Sequence, residues 1–331
     1  MNYIGSKYKL LSFLERNIIE TVGDIRSCVF CDLFAGTGAV GRYFKTLVKQ
    51  IIANDIENYS YVLNRNYIGN HLPIEYQEKL DELNNLSGKK GFIYNNYCLG
   101  SGSGRQYFSD NNGQKIDAIR LKIKEWYDKK YISDNEYFFF LASLLESADK
   151  VANTASVYGA FLKQLKKTAQ KNIELEPALF QINDHDHEVY SEDANNLIQK
   201  IQGDILYLDP PYNERQYGAN YHILNTIALY DNFIPKGKTG LRDYTKSAYC
   251  KKAMVLKSFD NLVKNAKFKY IFLSYNNEGL MSAEDIKNTM TKYGKYSLAT
   301  TNYQRFKADS AREYSADKTT EYLHILKKND A

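Results

Sequence analysis

Cys28-Val29-Phe30-Cys31-Asp32-Leu33-Phe34-Ala35-Gly36-Thr37-Gly38-Ala39-Val40-Gly41 decides the fold. Its first half is an apolar run that reads as a strand over 28–34. The glycines then spell G-x-G-x-x-G and lead into a helix over about 39–49. Ile51-Ile52-Ala53-Asn54-Asp55 is a second strand that ends in an acid. Strand, glycine turn, helix, strand and acid within about 30 residues make one βαβ unit. An adenosine-like ligand lies over such a turn, with Asp55 placed to hydrogen-bond ribose hydroxyls. The plain alternative is a ligand-free turn with Asp55 as a helix cap.

Outward from this unit the chain changes character twice. Residues 6–22 carry Leu10, Leu11, Leu14, Ile18 and Ile19, a helical stripe. From about 58 to 185 the patterns are mostly helical, with one glycine-rich loop at Leu99-Gly100-Ser101-Gly102-Ser103-Gly104. Tyr137–Leu145 reads as a buried helix. Tyr158, Phe161, Leu162 and Leu165 mark another, with Lys163, Lys166, Lys167 and Lys171 on its polar side. The αβ rhythm resumes near Glu188: Val189-Tyr190, then Asp193, a helix over 194–200, and the strand Ile205-Leu206-Tyr207-Leu208. Helices near 219–231, 251–266 and 282–292 follow, with strands at 269–275, 296–306 and 320–327. Such alternation implies an α/β fold, a mostly parallel sheet covered on both faces, with the last two strands as an antiparallel pair.

The strand at 205–208 stops at Asp209-Pro210-Pro211-Tyr212. Two prolines forbid its continuation and push Asp209 towards an extended backbone. An acid, carbonyls and an aromatic ring are thereby held at the carboxyl end of a strand, the edge where open α/β sheets bind ligands. A carboxylate and a carbonyl together accept both hydrogens of an exocyclic amine, and the ring stacks on a planar base. Hydride transfer has no evident use for this element. Together with the acid and aromatic at the glycine turn, it favours S-adenosylmethionine over a nicotinamide dinucleotide.

The 331 residues allow one large domain, or a core domain plus a smaller one. A net charge of +5 is compatible with nucleic acid without demonstrating it. The N-terminus does not read as a signal peptide and no apolar run reaches membrane-spanning length, so a cytoplasmic protein without a membrane partner is expected. Four sparse cysteines agree with a reducing compartment. Cys28 and Cys31 form a C-x-x-C inside a strand, where a packing role is expected rather than redox or zinc chemistry. His185-Asp186-His187 has no obvious partner ligands, so no metal is expected.

The set Tyr3-Ile4-Gly5-Ser6-Lys7, Asp32-Leu33-Phe34-Ala35-Gly36-Thr37-Gly38, Asp55, Asp193 and Asp209-Pro210-Pro211-Tyr212 resembles the DNA adenine-N6 methyltransferases of the Dam-like D12 class. The motif order resembles the alpha group, and the joint pattern that of type II restriction–modification methylases. The resemblance implies a Rossmann-like S-adenosylmethionine-dependent methyltransferase sheet over 1–57 and 188–331, with an inserted, mostly helical target-recognition domain over 58–187. It implies that Tyr3 and Lys7 hold the methionine end of the cofactor, that Asp32, Phe34, Gly36 and Gly38 line it, that Asp55 binds the ribose, and that Asp193 binds the adenine amine. One departure is Gly5-Ser6-Lys7, where the family often has Gly-Gly-Lys. Asp209, Pro210, Pro211 and Tyr212 would be the catalytic element acting on a flipped-out adenine in double-stranded DNA. The loops Asn213–Tyr217 and Pro235–Arg242 are candidate DNA contacts. A cognate restriction endonuclease would act separately. An RNA adenine-N6 methyltransferase and a catalytically silent DNA-binding subunit are the alternatives.

Overall fold

In the computed structural model, residues 7–304 and 318–329 are described. The chain forms two compact units. The first is built on a seven-stranded sheet. Its strands are β1 (Val29–Asp32), β2 (Gln50–Asn54), β3 (Glu188–Tyr190), β4 (Gln202–Leu208), β5 (Lys267–Asn276), β6 (Gly294–Gln304) and β7 (Lys318–Lys328). Their order is β3-β2-β1-β4-β5-β7-β6. β3 to β5 run parallel, and β7 enters antiparallel between β5 and β6. The expected α/β sheet with an antiparallel final pair is therefore present.

The central strands are apolar on both faces because helices cover both. Every residue of β5 from Tyr270 to Tyr275 is buried, and β4 is buried from Ile205 to Leu208. One core cluster joins Cys31 and Leu33 to Leu206, Leu208, Phe259, Leu262, Ile271 and Leu273. Cys28 and Cys31 are buried free thiols. Burial pushes the Cys31 thiol well above its usual range, so it packs rather than reacts. The helix after the glycine turn, Ala39–Phe44, is shorter than its sequence pattern; beyond it Leu47 N–H turns back to the Phe44 carbonyl, three residues earlier, in a tighter turn.

β1 lies between β2 and β4, with Asp32 opposite Tyr207. The chain continues from β1 to a strand on one side and, much later, returns on the other. This is a topological switch point, where the turns after neighbouring strands diverge and leave a crevice. The glycine turn after β1 and Asp209 after β4 thus leave adjacent strands at the same edge of the sheet.

The second unit comprises Glu57–Ile182 and Tyr217–Tyr244 and is helical. The helices Asp110–Asp128 and Asp134–Val151 begin at Ser109 and Ser133, whose hydroxyls cap the first turn. The buried helix expected at Tyr137–Leu145 lies within the second of these. The helix expected around 158–165 is not formed. Leu162 N–H goes to the Asn153 carbonyl, Lys166 N–H to Asn153 Oδ1 and Tyr158 N–H to the Asn220 carbonyl. Those donors are therefore not available to helical i−4 carbonyls. Lys166 is no solvated-face lysine either, since its Nζ donates to the Thr154 carbonyl at 2.8 Å.

Residues 217–244 fall with this helical unit, although the sequence pattern groups them with the sheet. The reason is the helix His222–Leu229, whose residues 222–228 are all buried. A helix buried on every side needs a core around it. Ile223, Leu224 and Ile227 find one with Tyr59, Leu141 and Leu144. Arg120 closes its carboxyl end, donating to the Ile227 and Ala228 carbonyls at 2.8 and 2.9 Å.

Candidate active site

The site is built in the sheet unit, first from the glycine turn. Gly36 and Gly38 take φ of 53° and 77°, conformations open to glycine and costly to other residues. Ala35 N–H donates to the Asn54 carbonyl at 2.9 Å, and Gly36 N–H to Asp55 Oδ2 at 2.8 Å. Asp55 therefore fixes the turn with one carboxylate oxygen. Asn54, which the motif reading passes over, ties three strand ends together. Its Nδ2 donates to the Leu33 and Glu192 carbonyls, both at 3.1 Å, and its Oδ1 accepts from Glu192 N–H.

Asp32 is 1% exposed. Its Oδ2 accepts the Gly41 N–H at 3.1 Å, so the third glycine brings the helix backbone down onto the acid. Its Oδ1 is buried and has no hydrogen-bond partner among the described residues. Burial, and then the charges of Asp209 and Asp55, lift the Asp32 carboxyl to about 8 against the pull of the Gly41 bond. A buried carboxylate oxygen left unmatched is what a cationic or N–H-bearing ligand group would satisfy.

Beside the turn, Phe34 meets Tyr249 edge-on at 4.9 Å between ring centroids. Tyr249 O–H donates to Asn195 Oδ1 at 2.9 Å. Burial and then the Asp193 carboxylate push the Tyr249 phenol well above its usual range, which marks Asp193 as its neighbour. Asp193 itself caps the helical turn Ala194–Leu197, with Oδ1 accepting the Asn195 and Asn196 N–H groups at 3.0 and 3.1 Å. Aromatic rings and an acid are thus grouped next to the glycine turn. Tyr249 lies far from any motif, and neither it nor Asn195 carries a sequence signal of this role.

The second half follows β4. The Tyr212 carbonyl accepts Leu280 N–H at 3.1 Å, and its ring meets Tyr275 edge-on at 6.4 Å. β5 therefore fixes the Tyr212 ring, and the turn after it fixes the Tyr212 backbone. The Asp209 side chain is 18% exposed. Its Oδ1 lies 3.1 Å from Lys7 Nζ, and the same ammonium lies 2.8 Å from Glu321 Oε1. Lys7 is also 6.0 Å from the Tyr212 ring centroid. Burial alone lowers the Lys7 ammonium, but Asp209 and Glu321 outweigh it and hold it well above the ordinary value. The resemblance assigned Lys7 to the cofactor, and the structure engages it with Asp209. Glu321 was not among the sequence candidates. Tyr3 lies outside the described residues.

The remaining candidates have other partners. His187 Nδ1 accepts Ile51 N–H at 3.0 Å, and its Nε2 meets the Asn183 amide, so this ring fastens the edge of β2. The loop Pro235–Arg242 belongs to the helical unit. Arg105 donates to its Gly237 and Lys238 carbonyls at 3.0 and 3.2 Å, and Arg242 pairs bidentately with Asp231. Among the described residues no helix is long and apolar enough to cross a membrane.

Residues 3–290 match the family model described as D12 class N6 adenine-specific DNA methyltransferase. The chain is 62% identical to type II methyltransferase M.NlaIII of Neisseria lactamica, over 99% of each chain. It is 40% identical to type II methyltransferase M.CviAII of Paramecium bursaria Chlorella virus 1, over 93% of each. With type II methyltransferase M.FokI of Planomicrobium okeanokoites it shares 38% identity over its whole length and 53% of that protein's. Agreement on this scale, across both halves of the site, makes the chain a member of the D12 class of N6 adenine-specific DNA methyltransferases.

Proposed function

We propose that this protein transfers a methyl group from S-adenosylmethionine to N6 of a flipped-out adenine at a specific site in double-stranded DNA. The observation that carries the reading is the pairing of β1 with β4. It puts the glycine turn and Asp209-Pro210-Pro211-Tyr212 on neighbouring strands at one sheet edge. The similarity to type II methyltransferases suits a role in protecting host DNA from a separate cognate endonuclease, with the enzyme working in the cytoplasm where that DNA lies. The RNA reading and the silent-subunit reading are not favoured, because the family is adenine-specific on DNA and Asp209 is intact.

Bound S-adenosylmethionine supplies a methyl carbon on a positively charged sulfur. The residues present fit it. Gly36 and Gly38 give a close backbone approach, Asp55 would hydrogen-bond the ribose, and Phe34 and Tyr249 would offer rings to the adenine. The unmatched Asp32 Oδ1 suits the methionine ammonium. Asp193 keeps a second oxygen for the adenine amine.

The target amine is a poor nucleophile because its lone pair is delocalised into the base. Asp209 and the Pro210 carbonyl accept its two hydrogens and favour a pyramidal nitrogen. The Asp209 carboxylate stabilises the positive charge that develops there. Pro210 and Pro211 keep that geometry stiff, and most of the remaining acceleration is positioning. Tyr212 is the platform on which the extruded base stacks.

The test is Asp209→Asn, which keeps shape but presents an N–H group to the amine. Single-turnover methylation of duplex DNA should fall by about a hundredfold or more. Calorimetric S-adenosylmethionine affinity should stay close to wild type. Wild-type turnover in this variant would refute the assignment.

A further inference from the structure

The buried cluster around Asp209 holds one more charge than hydrogen bonding to an amine requires. Lys7 and Glu321 are 6% and 4% exposed, and one ammonium serves two carboxylates. A Lys7–Asp209 pair alone would be neutral, whereas with both acids ionised the triad carries one net negative charge. Burying an extra carboxylate is costly, and an amide or apolar residue on β7 would avoid that cost. Glu321 lies on a different strand from Asp209: β7 is separated from β4 by β5, and Glu321 pairs in register with Asn276.

We propose that Glu321 is a positioning residue for methyl transfer: it holds the Lys7 ammonium from the β7 side, so that Asp209 is ionised yet basic enough to receive the proton that N6 must lose. This rests on Asp209 being the residue that meets the target amine. The methyl carbon arrives without its bonding pair, which stays on the donor sulfur. N6 supplies the pair for the new bond and becomes positively charged. An N–H bonding pair then returns to N6 as that proton passes to the Asp209 carboxylate. The negative charge of the triad is neutralised in the same event, so the charge Glu321 contributes is matched by the proton taken up.

The shared ammonium sets the balance. Burial lifts the Asp209 carboxyl to about 6, Lys7 pulls it down, and Glu321 pushes it up. A base near the working pH is both ionised beforehand and able to take a proton. If Lys7 served Asp209 alone, the carboxylate would be a weaker base. Among the described residues, the other titratable groups facing this cluster are Tyr207 on β4, Tyr212 and Asp32. Burial and then Asp209 push the Tyr207 phenol well above its usual range, and it donates to Ser274 Oγ at 2.9 Å, so it keeps its proton throughout. Asp32 titrates higher, at about 8, and its charged neighbours are Asp209 and Asp55. Removing Glu321 therefore acts on the lower limb of a pH profile.

The experiment compares wild type, Glu321→Gln, Glu321→Asp and Asp209→Asn as full-length protein. Single-turnover methylation of duplex DNA is measured against pH. In the ligand-free protein, the Asp209 carboxyl band is titrated by infrared difference against Asp209→Asn. S-adenosylmethionine affinity is measured by calorimetry. In Glu321→Gln the infrared midpoint and the acid limb should both move down by about one pH unit, and the plateau rate should fall by about tenfold. Cofactor affinity should be unchanged. Glu321→Asp keeps the charge and should keep the wild-type midpoint with a lowered plateau; it carries the test if the glutamine variant does not fold. A wild-type midpoint and plateau in Glu321→Gln, a downshifted midpoint in Glu321→Asp, or rate loss that only tracks lost cofactor binding would overturn the proposal. An active Asp209→Asn would instead sink the underlying assignment, which separates the two failures.

Discussion

Asp32→Asn should stabilise the ligand-free protein at neutral pH while weakening its hold on S-adenosylmethionine. Asp32 is buried, and its carboxyl is raised from 3.8 to about 8. A raised acid binds its proton more tightly when folded. Its stabilising contribution is therefore present below the unfolded value near 4 and is lost as pH climbs towards 8. The loss amounts to about 1.4 kcal/mol per pH unit, or ~3 kcal/mol between about pH 5 and 7. Asparagine keeps the oxygen that accepts Gly41 N–H and never ionises. Its amide replaces the unmatched Oδ1 and costs about 1–3 kcal/mol as a buried donor without a partner, at every pH. The wild type and the variant should thus unfold at similar temperatures near pH 5, with the variant more stable by about 1–3 kcal/mol near pH 7 and by more near pH 8. Calorimetric unfolding across that range reads the trend, and titration calorimetry reads the cofactor. A stability difference that does not change with pH would refute the ionisation argument. Unaltered cofactor affinity would refute the assignment of Oδ1 to the methionine ammonium.

Three further outcomes are expected. Tyr212→Ala removes a stacking platform worth about 1–3 kcal/mol, so capture of an extruded adenine, followed by 2-aminopurine fluorescence in duplex DNA, should weaken by about tenfold or more with cofactor affinity intact; unchanged capture would remove the ring from the mechanism. Asp117→Ala strands the Gly91, Ile93 and Tyr94 N–H groups and the Tyr230 hydroxyl, which all donate to that carboxylate; chemical denaturation should show a loss of about 3–5 kcal/mol, and a loss below ~1 kcal/mol would mean the helical unit does not depend on this staple. Arg105→Ala releases the Gly237 and Lys238 carbonyls and frees the basic loop; DNA affinity should fall and its salt dependence flatten, while cofactor binding stays put, and an unchanged salt slope would exclude this loop from the DNA contact.

Much of the sheet was legible because local rules and tertiary structure agree there. The run before Gly36 is apolar on both faces, and a parallel sheet covered by helices demands that. The stop after Leu208 is enforced by Pro210 and Pro211 whatever the rest of the chain does. The helical unit was less legible where backbone donors find side-chain or distant partners. Residues 158–166 have a helical apolar spacing, but Asn153 takes two of their N–H groups, and no periodicity records that. The helix His222–Leu229 reads equally well beside the sheet or inside a helical core. Only the near-complete burial of its faces, with Arg120 at its end, decides which.

The site shows where such reading stops. Sequence motifs mark groups that act on backbone close to themselves: Gly36 and Gly38 for the turn, Asp55 for the Gly36 N–H. They do not mark groups whose role comes from strand order. Lys7 and Glu321 are 314 residues apart, and nothing in either neighbourhood requires the other. They meet because β7 enters antiparallel between β5 and β6, with Glu321 in register with Asn276 near the carboxyl end of β5, the edge at which Asp209 follows β4. Had β7 paired one residue out of step, Glu321 would face the opposite side of the sheet and Lys7 would answer to Asp209 alone. The charges that surround Asp209 are therefore set in part by the register of a strand that carries none of the motifs read from the sequence. A register-shifting change in β7 should alter the pH dependence of methyl transfer while leaving every motif residue in place.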